Sequence, residues 1–429
     1  MSHSVPVPFS DPPWLMGIPS AYYTDSHRKW QKTCRQLAEK LLVPHAGEWE
    51  AAESVPDDLF SNFAAANFLI PNMPAPLPLK WLRKAEFSRA PRLARSGSLG
   101  PSGAVTVGFA FGLPPILKFG SEELKERLVP ELITGKKRVC IAVTEPDAGS
   151  DVGNIATTAK KTQDGKYFIV NGTKKWITNG IWSHFASMAV RTGGPGAGGL
   201  SMLVVPLLDT DGVTMRRTKV GGQHTAGTTF IELDDVKVPV ENLIGTEGQG
   251  MKYIMQNFNH ERLTIAISVN RISRVALSDA FEYCLKREAF GKTLMDQPVV
   301  RHRLAKCGAD LEAHWAWIEH FTYSMTKLSE DAANQELGGL TALAKAQAGR
   351  VLELCASTAV LLHGGNGYTR SGQGALAERI YREVPGARSP GGSEDVMLDL
   401  AIRQLVKNFQ RKTKELETSM ERPAGSPKL

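Results

Sequence analysis

The chain has 429 residues, 42 % hydrophobic and 22 % charged, which gives it the make-up of a globular protein with two or three sizeable cores. Its formal charge of +7 is not gathered into a dense basic block, so nucleic acid is not indicated, whereas a small polyanionic ligand is compatible. No apolar run approaches a membrane span, and the five cysteines (Cys34, Cys140, Cys284, Cys307, Cys355) are odd in number and scattered. They read as reduced core thiols of an intracellular protein, with no disulfide framework and no metal site.

The first fourteen residues are rich in Pro and Ser, carry Asp11 and lack Arg, which argues against a secretory or mitochondrial leader. From about residue 26 to 130 the pattern is helical. Ser26 or Asp25 caps a helix along which Trp30, Cys34, Leu37, Leu41 and Leu42 recur, and Pro44 ends or bends it. A second helix fits Pro56 to Phe68 and a third Ser121 to Ile133, with Ser121 as cap. Met73 to Gly103, rich in Pro, Arg and Ser, reads as a surface loop.

From Cys140 to Ile244 the period changes to two. Tyr167 to Val170 meets Asn171-Gly172, a hairpin signal, before Trp176-Ile177-Thr178. Phe185 to Val190, Leu200 to Val205, Val213 to Arg217 and Thr228 to Leu233 are further strand candidates, with Gly193 to Gly199 a loop between two of them. This is a small all-β unit of sandwich or barrel type, and no strand, glycine turn and helix follow in the order that a nicotinamide site needs. Helical period returns at Met251 and persists to about Lys414. A helix opened by Met251, Ile254, Phe258, Leu263 and Ile265 and running toward Phe290 would span ~60 Å, too long to stand alone, so a packed bundle is implied.

Two stretches carry chemistry. Val143-Thr144-Glu145-Pro146-Asp147-Ala148-Gly149-Ser150-Asp151 follows the apolar run Cys140 to Val143 and makes a turn with backbone N–H groups and small hydroxyls turned outward. Lys174-Lys175-Trp176-Ile177-Thr178-Asn179-Gly180 places an indole and a hydroxyl two apart, on one face of a strand. An apolar plane beside small hydrogen-bonding groups suits an aromatic cofactor. Taken singly, either stretch reads equally as a surface hairpin with a structural Trp.

Together and in this order they resemble the acyl-CoA dehydrogenase family. The likeness extends to Lys118-Phe119-Gly120-Ser121-Glu122-Glu123, to Glu232 through Pro239 with Glu241 to Gly245, to Arg287-Glu288-Ala289-Phe290-Gly291-Lys292 and to His363-Gly364-Gly365-Asn366-Gly367-Tyr368. It covers roughly residues 22 to 410 and implies an α+β fold. A helical N-terminal domain (1–135), a middle β-barrel or sandwich domain (136–246) and a C-terminal four-helix bundle (247–415) would precede a tail (416–429). It also implies FAD, an acyl-CoA substrate, a homodimer or homotetramer, and an electron-transfer flavoprotein or dioxygen as acceptor.

By the resemblance, Ile141, Val143, Thr144, Gly149, Ser150, Trp176 and Thr178 line the flavin. Arg287 and Phe290, joined by Gln297, reach the flavin of a neighbouring subunit, Gly364 and Gly365 let the backbone approach the adenosine half, and Glu394 points toward the cofactor, with the role of base as its alternative. Taken bare, Gly364-Gly365 is also a helix-ending turn. Some members carry their catalytic base in a C-terminal loop, where this chain reads Arg388-Ser389-Pro390-Gly391-Gly392-Ser393-Glu394; Pro390 fills the base position and offers neither a carboxylate nor an N–H. Isovaleryl and long-chain members carry the base on a helix in a Glu-Arg-Leu triplet, present here as Glu261-Arg262-Leu263. Glu261 is therefore the expected base, with a pKa raised by apolar surroundings; Arg262 would meet the coenzyme A nucleotide, and the Gly391 amide or a bound water would replace the N–H that Pro390 lacks. The plain alternatives are a surface Glu paired with a cation and a salt-bridged core Arg.

Two other readings stay open. One is a flavin oxidase or oxygenase of the same fold, acting on a nitroalkane or a carrier-bound acyl group, for which Asp395 is the nearby carboxylate. The other is a catalytically silent scaffold relative. The final Pro427-Lys428-Leu429 is similar to a peroxisomal address with Pro in place of Ser, so a peroxisomal location is an expectation, with cytoplasm or mitochondrial matrix as alternatives.

Overall fold

A computed structural model describes residues 6–73, 77–84 and 99–420. The described residues as far as Ile133 are mainly helical: α1 Asp25–Leu41, α2 Ala46–Ala51, α3 Leu59–Ala65, α4 Leu79–Lys84, α5 Leu99–Val107, α6 Leu113–Phe119 and α7 Glu122–Ile133. Ser121 caps α7 as read from sequence, its hydroxyl accepting from Leu124 N–H at 3.1 Å. The cap of α1 is Thr24 instead of Ser26 or Asp25, because the Nδ1 of His27 reaches back to accept the Thr24 N–H at 3.1 Å. The second expected helix shrinks to α3. The expected loop from Met73 to Gly103 contains α4, whose Trp81 and Leu82 are buried, and the start of α5; the rest of that stretch lies outside the described residues.

Strands follow: β1 Val139–Ala142, β2 Thr158–Lys161, β3 Tyr167–Ile177, β4 Phe185–Arg191, β5 Leu200–Pro206, β6 Val213–Arg217, β7 Thr229–Pro239 and β8 Leu243–Ile244. They form one eight-stranded sheet in the order β6-β7-β3-β2-β4-β5-β8, with β1 joined in parallel to β4. Strands β4 and β5 are buried on both faces. Met188, Val190, Leu203 and Val205 face the core inside the curved sheet, whereas Ala189, Met202 and Val204 face the apolar cluster that the N-terminal helices build. That alternation is the period of two read from the sequence.

The Asn171-Gly172 hairpin does not form. β3 runs straight through it with a register shift against β7, so these residues make a bulge. Gly172 holds φ +146° because a Cβ there would lie 2.6 Å from the Thr157 hydroxyl. Asn171 meanwhile exchanges two hydrogen bonds with Asp235, at 2.9 and 2.8 Å.

From Gly250 the chain is helical again: α8 Gly250–Lys286, α9 Pro298–Met325, α10 Glu330–His363, α11 Ala375–Arg388 and α12 Glu394–Met420. Between α8 and α9 a small hairpin, β9 Glu288–Ala289 and β10 Lys292–Thr293, turns at Phe290-Gly291, both with positive φ. The 37 residues of α8 span about 55 Å. Polar contacts fix its neighbours: Asn270 bonds the His314 ring at 3.0 Å, His314 meets the Ala344 carbonyl at 2.9 Å, and Arg274 grips Glu312 bidentately at 2.6 and 2.7 Å. The N-terminal segment straps onto this bundle. Arg271 donates to the Ser10 carbonyl at 2.7 Å and Arg35 pairs with the buried Asp11.

Candidate active site

The two motifs of the β unit are locked together by a buried ion pair. After β1, a tight turn closes between Glu145 and Ala148, whose backbones exchange hydrogen bonds at 3.1 and 3.4 Å. The Glu145 side chain turns inward and accepts from Lys174 Nζ at 2.7 Å, Ala156 N–H at 2.7 Å and Thr157 N–H at 3.0 Å. Lys174 also donates to the Val143 carbonyl at 3.1 Å, and Lys175 N–H to the Thr144 carbonyl at 2.9 Å. Burial pushes the Lys174 ammonium down to about 8, against the attraction of Glu145. Burial alone would raise Glu145, yet Lys174 and the N–H donors hold it below the ordinary carboxylate value. With the glutamate inside, Gly149 and Ser150 are left exposed just after the turn.

Trp176 and Thr178 do not share a strand face in the simple way their spacing implied. A second bulge in β3, between Lys174 and Ile177, puts Trp176 at φ +65°, and β3 ends at Ile177. The outcome is a half-exposed indole, 51 % accessible, beside a partly buried Thr178. Gly103 of α5 lies against the Thr178 methyl, where a Cβ would be 3.8 Å away. An accessible indole, a hydroxyl and the open amides of a turn fit the plane and hydrogen-bonding edge of an isoalloxazine. Half-buried Ile141 and Thr144, with buried Val143, form the strand end beneath them.

Glu261 sits on the second quarter of α8 and is only 5 % exposed. Burial pushes its carboxyl up to about 8, with the neighbouring Arg262 pulling the other way. Arg262 is also buried; desolvation lowers its pKa and Glu261 opposes that. Its guanidinium lies 5.7 Å from the Phe258 ring, and its Nε faces the Gly391 carbonyl at 3.5 Å. Met251, Ile254 and Phe258, the preceding turns of α8, share one apolar cluster with Ile141, Val143 and Ala148. The helix carrying Glu261 therefore packs beside the first motif.

The loop after α11 completes this region. Pro390 is exposed, while Gly391 and Gly392 take φ +71° and +98°. Gly391 rests on Ile265, whose Cδ1 would be 2.6 Å from a Cβ. Ile265 is one turn beyond Glu261 on the same face of α8. Glu394 opens α12 with its carboxylate held by Arg388 at 2.7 and 2.8 Å, which leaves it poorly suited to act as a base. Asp395 is exposed.

The remaining candidates lie elsewhere. Arg287 follows the last residue of α8, about 40 Å along the helix from Glu261. Phe290 at the hairpin tip is 95 % exposed, and Gln297 caps α9 beside it. Gly364 and Gly365 are exposed at the end of α10, next to the same end of α8, where Asn366 donates to the Tyr283 hydroxyl at 3.3 Å. These five residues gather at one end of the bundle, away from Trp176, Thr178 and Glu261 within a single chain.

Sequence reasoning passed over two features. The Glu145–Lys174 pair joins positions 29 apart, and no local pattern announces it. Lys345 is fully buried on α10 and donates to the carbonyls of Arg388 at 2.7 Å and Gly392 at 2.6 Å. Its signal was present: a lone cation in the apolar run Ala342-Leu343-Ala344-Lys345-Ala346. Among the described residues no cluster of His, Cys, Asp and Glu could hold a metal ion, and no helix is long and apolar enough to cross a membrane.

Comparison with known proteins matches this arrangement. Residues 24–136, 140–236 and 248–406 correspond to the N-terminal, middle and C-terminal domains of acyl-CoA dehydrogenases. An acyl-CoA dehydrogenase of Emericella nidulans is 62 % identical over 427 residues, covering 96 % of this chain and 98 % of that protein. One of Alternaria alternata is 35 % identical over 94 % of this chain and 97 % of its own length. The crystal structure of a probable acyl-CoA dehydrogenase from Mycobacterium abscessus superposes with a TM-score of 0.80 at 30 % identity, covering 90 % of this chain and all of that one. With all three domains matched in order and a relative 62 % identical over nearly its full length, the chain belongs to the acyl-CoA dehydrogenase family of FAD-dependent oxidoreductases.

Proposed function

We propose that this protein desaturates an acyl-CoA thioester between its α and β carbons, with Glu261 as the general base. The observation that carries the reading is the environment of Glu261: a carboxylate on a helix, withdrawn from water, with its proton affinity raised to about 8. A base of that strength is matched to abstracting a weakly acidic carbon-bound proton near neutral pH. The alternatives in the C-terminal loop are weak, since Pro390 has no acid function and Glu394 is engaged by Arg388.

The chemistry that FAD would supply when bound is acceptance of a hydride. The chain's own part is to hold, orient and exclude water. Ile141, Val143, Thr144, Gly149 and Ser150 would support the ring and ribityl chain, with Trp176 against the ring and Thr178 at its polar edge. Arg262 would attract the nucleotide phosphates of coenzyme A. In a homodimer or a tetramer of paired dimers, Arg287, Phe290, Gln297, Gly364 and Gly365 would reach the cofactor of the partner subunit; their exposure and remoteness from Glu261 favour this. Glu394 would act on the cofactor side through its pair with Arg388. An electron-transfer flavoprotein is the favoured acceptor and dioxygen the alternative. A peroxisomal location rests on Pro427-Lys428-Leu429 alone, which lies outside the described residues.

The test is anaerobic titration of the yellow, FAD-loaded protein with short, branched and long acyl-CoAs. Bleaching that depends on the chain is the expected result. Full retention of colour with every thioester would favour an oxidase or oxygenase reading. A protein that cannot be loaded with FAD would favour a scaffold.

A further inference from the structure

The reaction needs a donor for the thioester oxygen as charge develops on it, and Pro390 has no N–H to give. Three carbonyls around that position are held by cations. Lys345 Nζ takes those of Arg388 and Gly392, and Arg262 Nε faces that of Gly391. A trans peptide points its C=O and N–H in opposite directions. Turning the Gly391 carbonyl to Arg262 therefore sends the Gly392 N–H away from the guanidinium, and turning the Gly392 carbonyl to Lys345 sends the Ser393 N–H away from α10. Among the described residues neither Gly391 nor Gly392 donates its N–H to a backbone carbonyl.

The shape of the loop depends on its two glycines. Gly391 and Gly392 both have positive φ, and a Cβ on Gly392 would run into the Met397 side chain. Gly391 rests on Ile265, one turn from Glu261 on the same face, so the loop borders the base's side of α8. Lys345 itself has no solvent access, and a buried ammonium left without acceptors is costly. Its two carbonyl partners are therefore a persistent clamp.

Resting on the acyl-CoA reading above, we propose that Lys345 is a positioning residue. With Arg262 it holds the Arg388, Gly391 and Gly392 carbonyls, so that the Gly392 N–H, in place of the Gly391 N–H expected from sequence, becomes the donor to the thioester oxygen that Pro390 cannot be. Lys345 touches neither substrate nor cofactor; it acts through the loop.

The experiment uses the FAD-loaded full chain and compares an acyl-CoA thioester with the matching S-alkyl thioether, which lacks the carbonyl. Lys345→Met should lower kcat about 10²-fold, the lower end of what losing one oxyanion donor costs, and should abolish the preference for thioester over thioether while leaving thioether affinity unchanged. Lys345→Arg should restore part of both. Isotope-edited infrared spectroscopy of a bound ¹³C=O thioester in the unaltered protein reads the same donor without any substitution, and the carbonyl stretch should fall to lower frequency than in water. Should Lys345→Met fail to fold, the comparison is made with Lys345→Arg, whose bound carbonyl should absorb between the frequency in the unaltered protein and that in water. An unshifted carbonyl in the unaltered protein, or a Lys345→Met variant with kcat and thioester preference intact, overturns the inference while leaving the acyl-CoA reading standing. If the unaltered protein neither binds nor is bleached by any acyl-CoA, both fall together.

Discussion

Replacing Glu261 by Gln should make the protein more stable above neutral pH, and the gain should grow with pH. The cause is the buried carboxyl, whose pKa lies at about 8 in the folded chain against an ordinary 4.5. Below about pH 4.5 the group is protonated in both folded and unfolded states and contributes no difference. Between 4.5 and 8 the folded state keeps a proton that the unfolded state has released, so stability falls as pH rises. At about 1.4 kcal/mol per pH unit the ceiling on that loss is about 5 kcal/mol, and relaxation around the charge brings it toward about 2–4 kcal/mol. Glutamine is nearly isosteric and cannot ionise, so it escapes the penalty. Urea denaturation of the FAD-loaded protein and of Glu261→Gln, at intervals from pH 5 to 9, measures the difference. The variant should draw ahead through this window and level off above about 8. A difference that is independent of pH, or a variant less stable at pH 8.5, would refute the burial argument.

Other consequences follow from the same geometry. The pH profile of kcat/KM should rise about tenfold per pH unit below neutrality and flatten near 8, because Glu261 must be ionised to accept a proton; a flat profile from pH 6 to 9 would exclude it as the base. Glu145→Ala should destabilise the protein by about 3–5 kcal/mol, because it strands the buried Lys174 ammonium; the double change Glu145→Gln with Lys174→Met should cost less than that single one in denaturant titration. Gly172→Ala should lower stability by about 1–3 kcal/mol through backbone strain and contact with Thr157, and an unchanged melting curve would contradict the bulge.

Much of this architecture was legible because long periodic signals are robust. The switch from helical to alternating pattern at Cys140 and back at Met251, and the Ser121 cap, arise from packing faces and local hydrogen bonds that the sequence displays directly. The failures share a different origin. Asn171-Gly172 looks like a hairpin turn, but the glycine is needed for close approach to Thr157 in mid-strand. Trp176 and Thr178 seemed to share a face until a bulge rotated the indole. Helix α4 is too short to show a period, and burial of Trp81 and Leu82 is what defines it. Glu261 could be singled out because its triplet is local. The Glu145–Lys174 pair could not, and the lone cation Lys345, visible in its apolar run, showed no role, since their meaning depends on partners 29 to 47 residues away.

The central claim is that the Glu261 carboxylate removes the substrate's α proton, and single-turnover flavin reduction in Glu261→Gln tests it most directly. Mixed anaerobically with a saturating acyl-CoA that bleaches the unaltered protein, the variant should keep its bound FAD and its affinity for the thioester while losing at least about 10²-fold in the rate of bleaching. Bleaching at the unaltered rate, with FAD and substrate both bound, would contradict it.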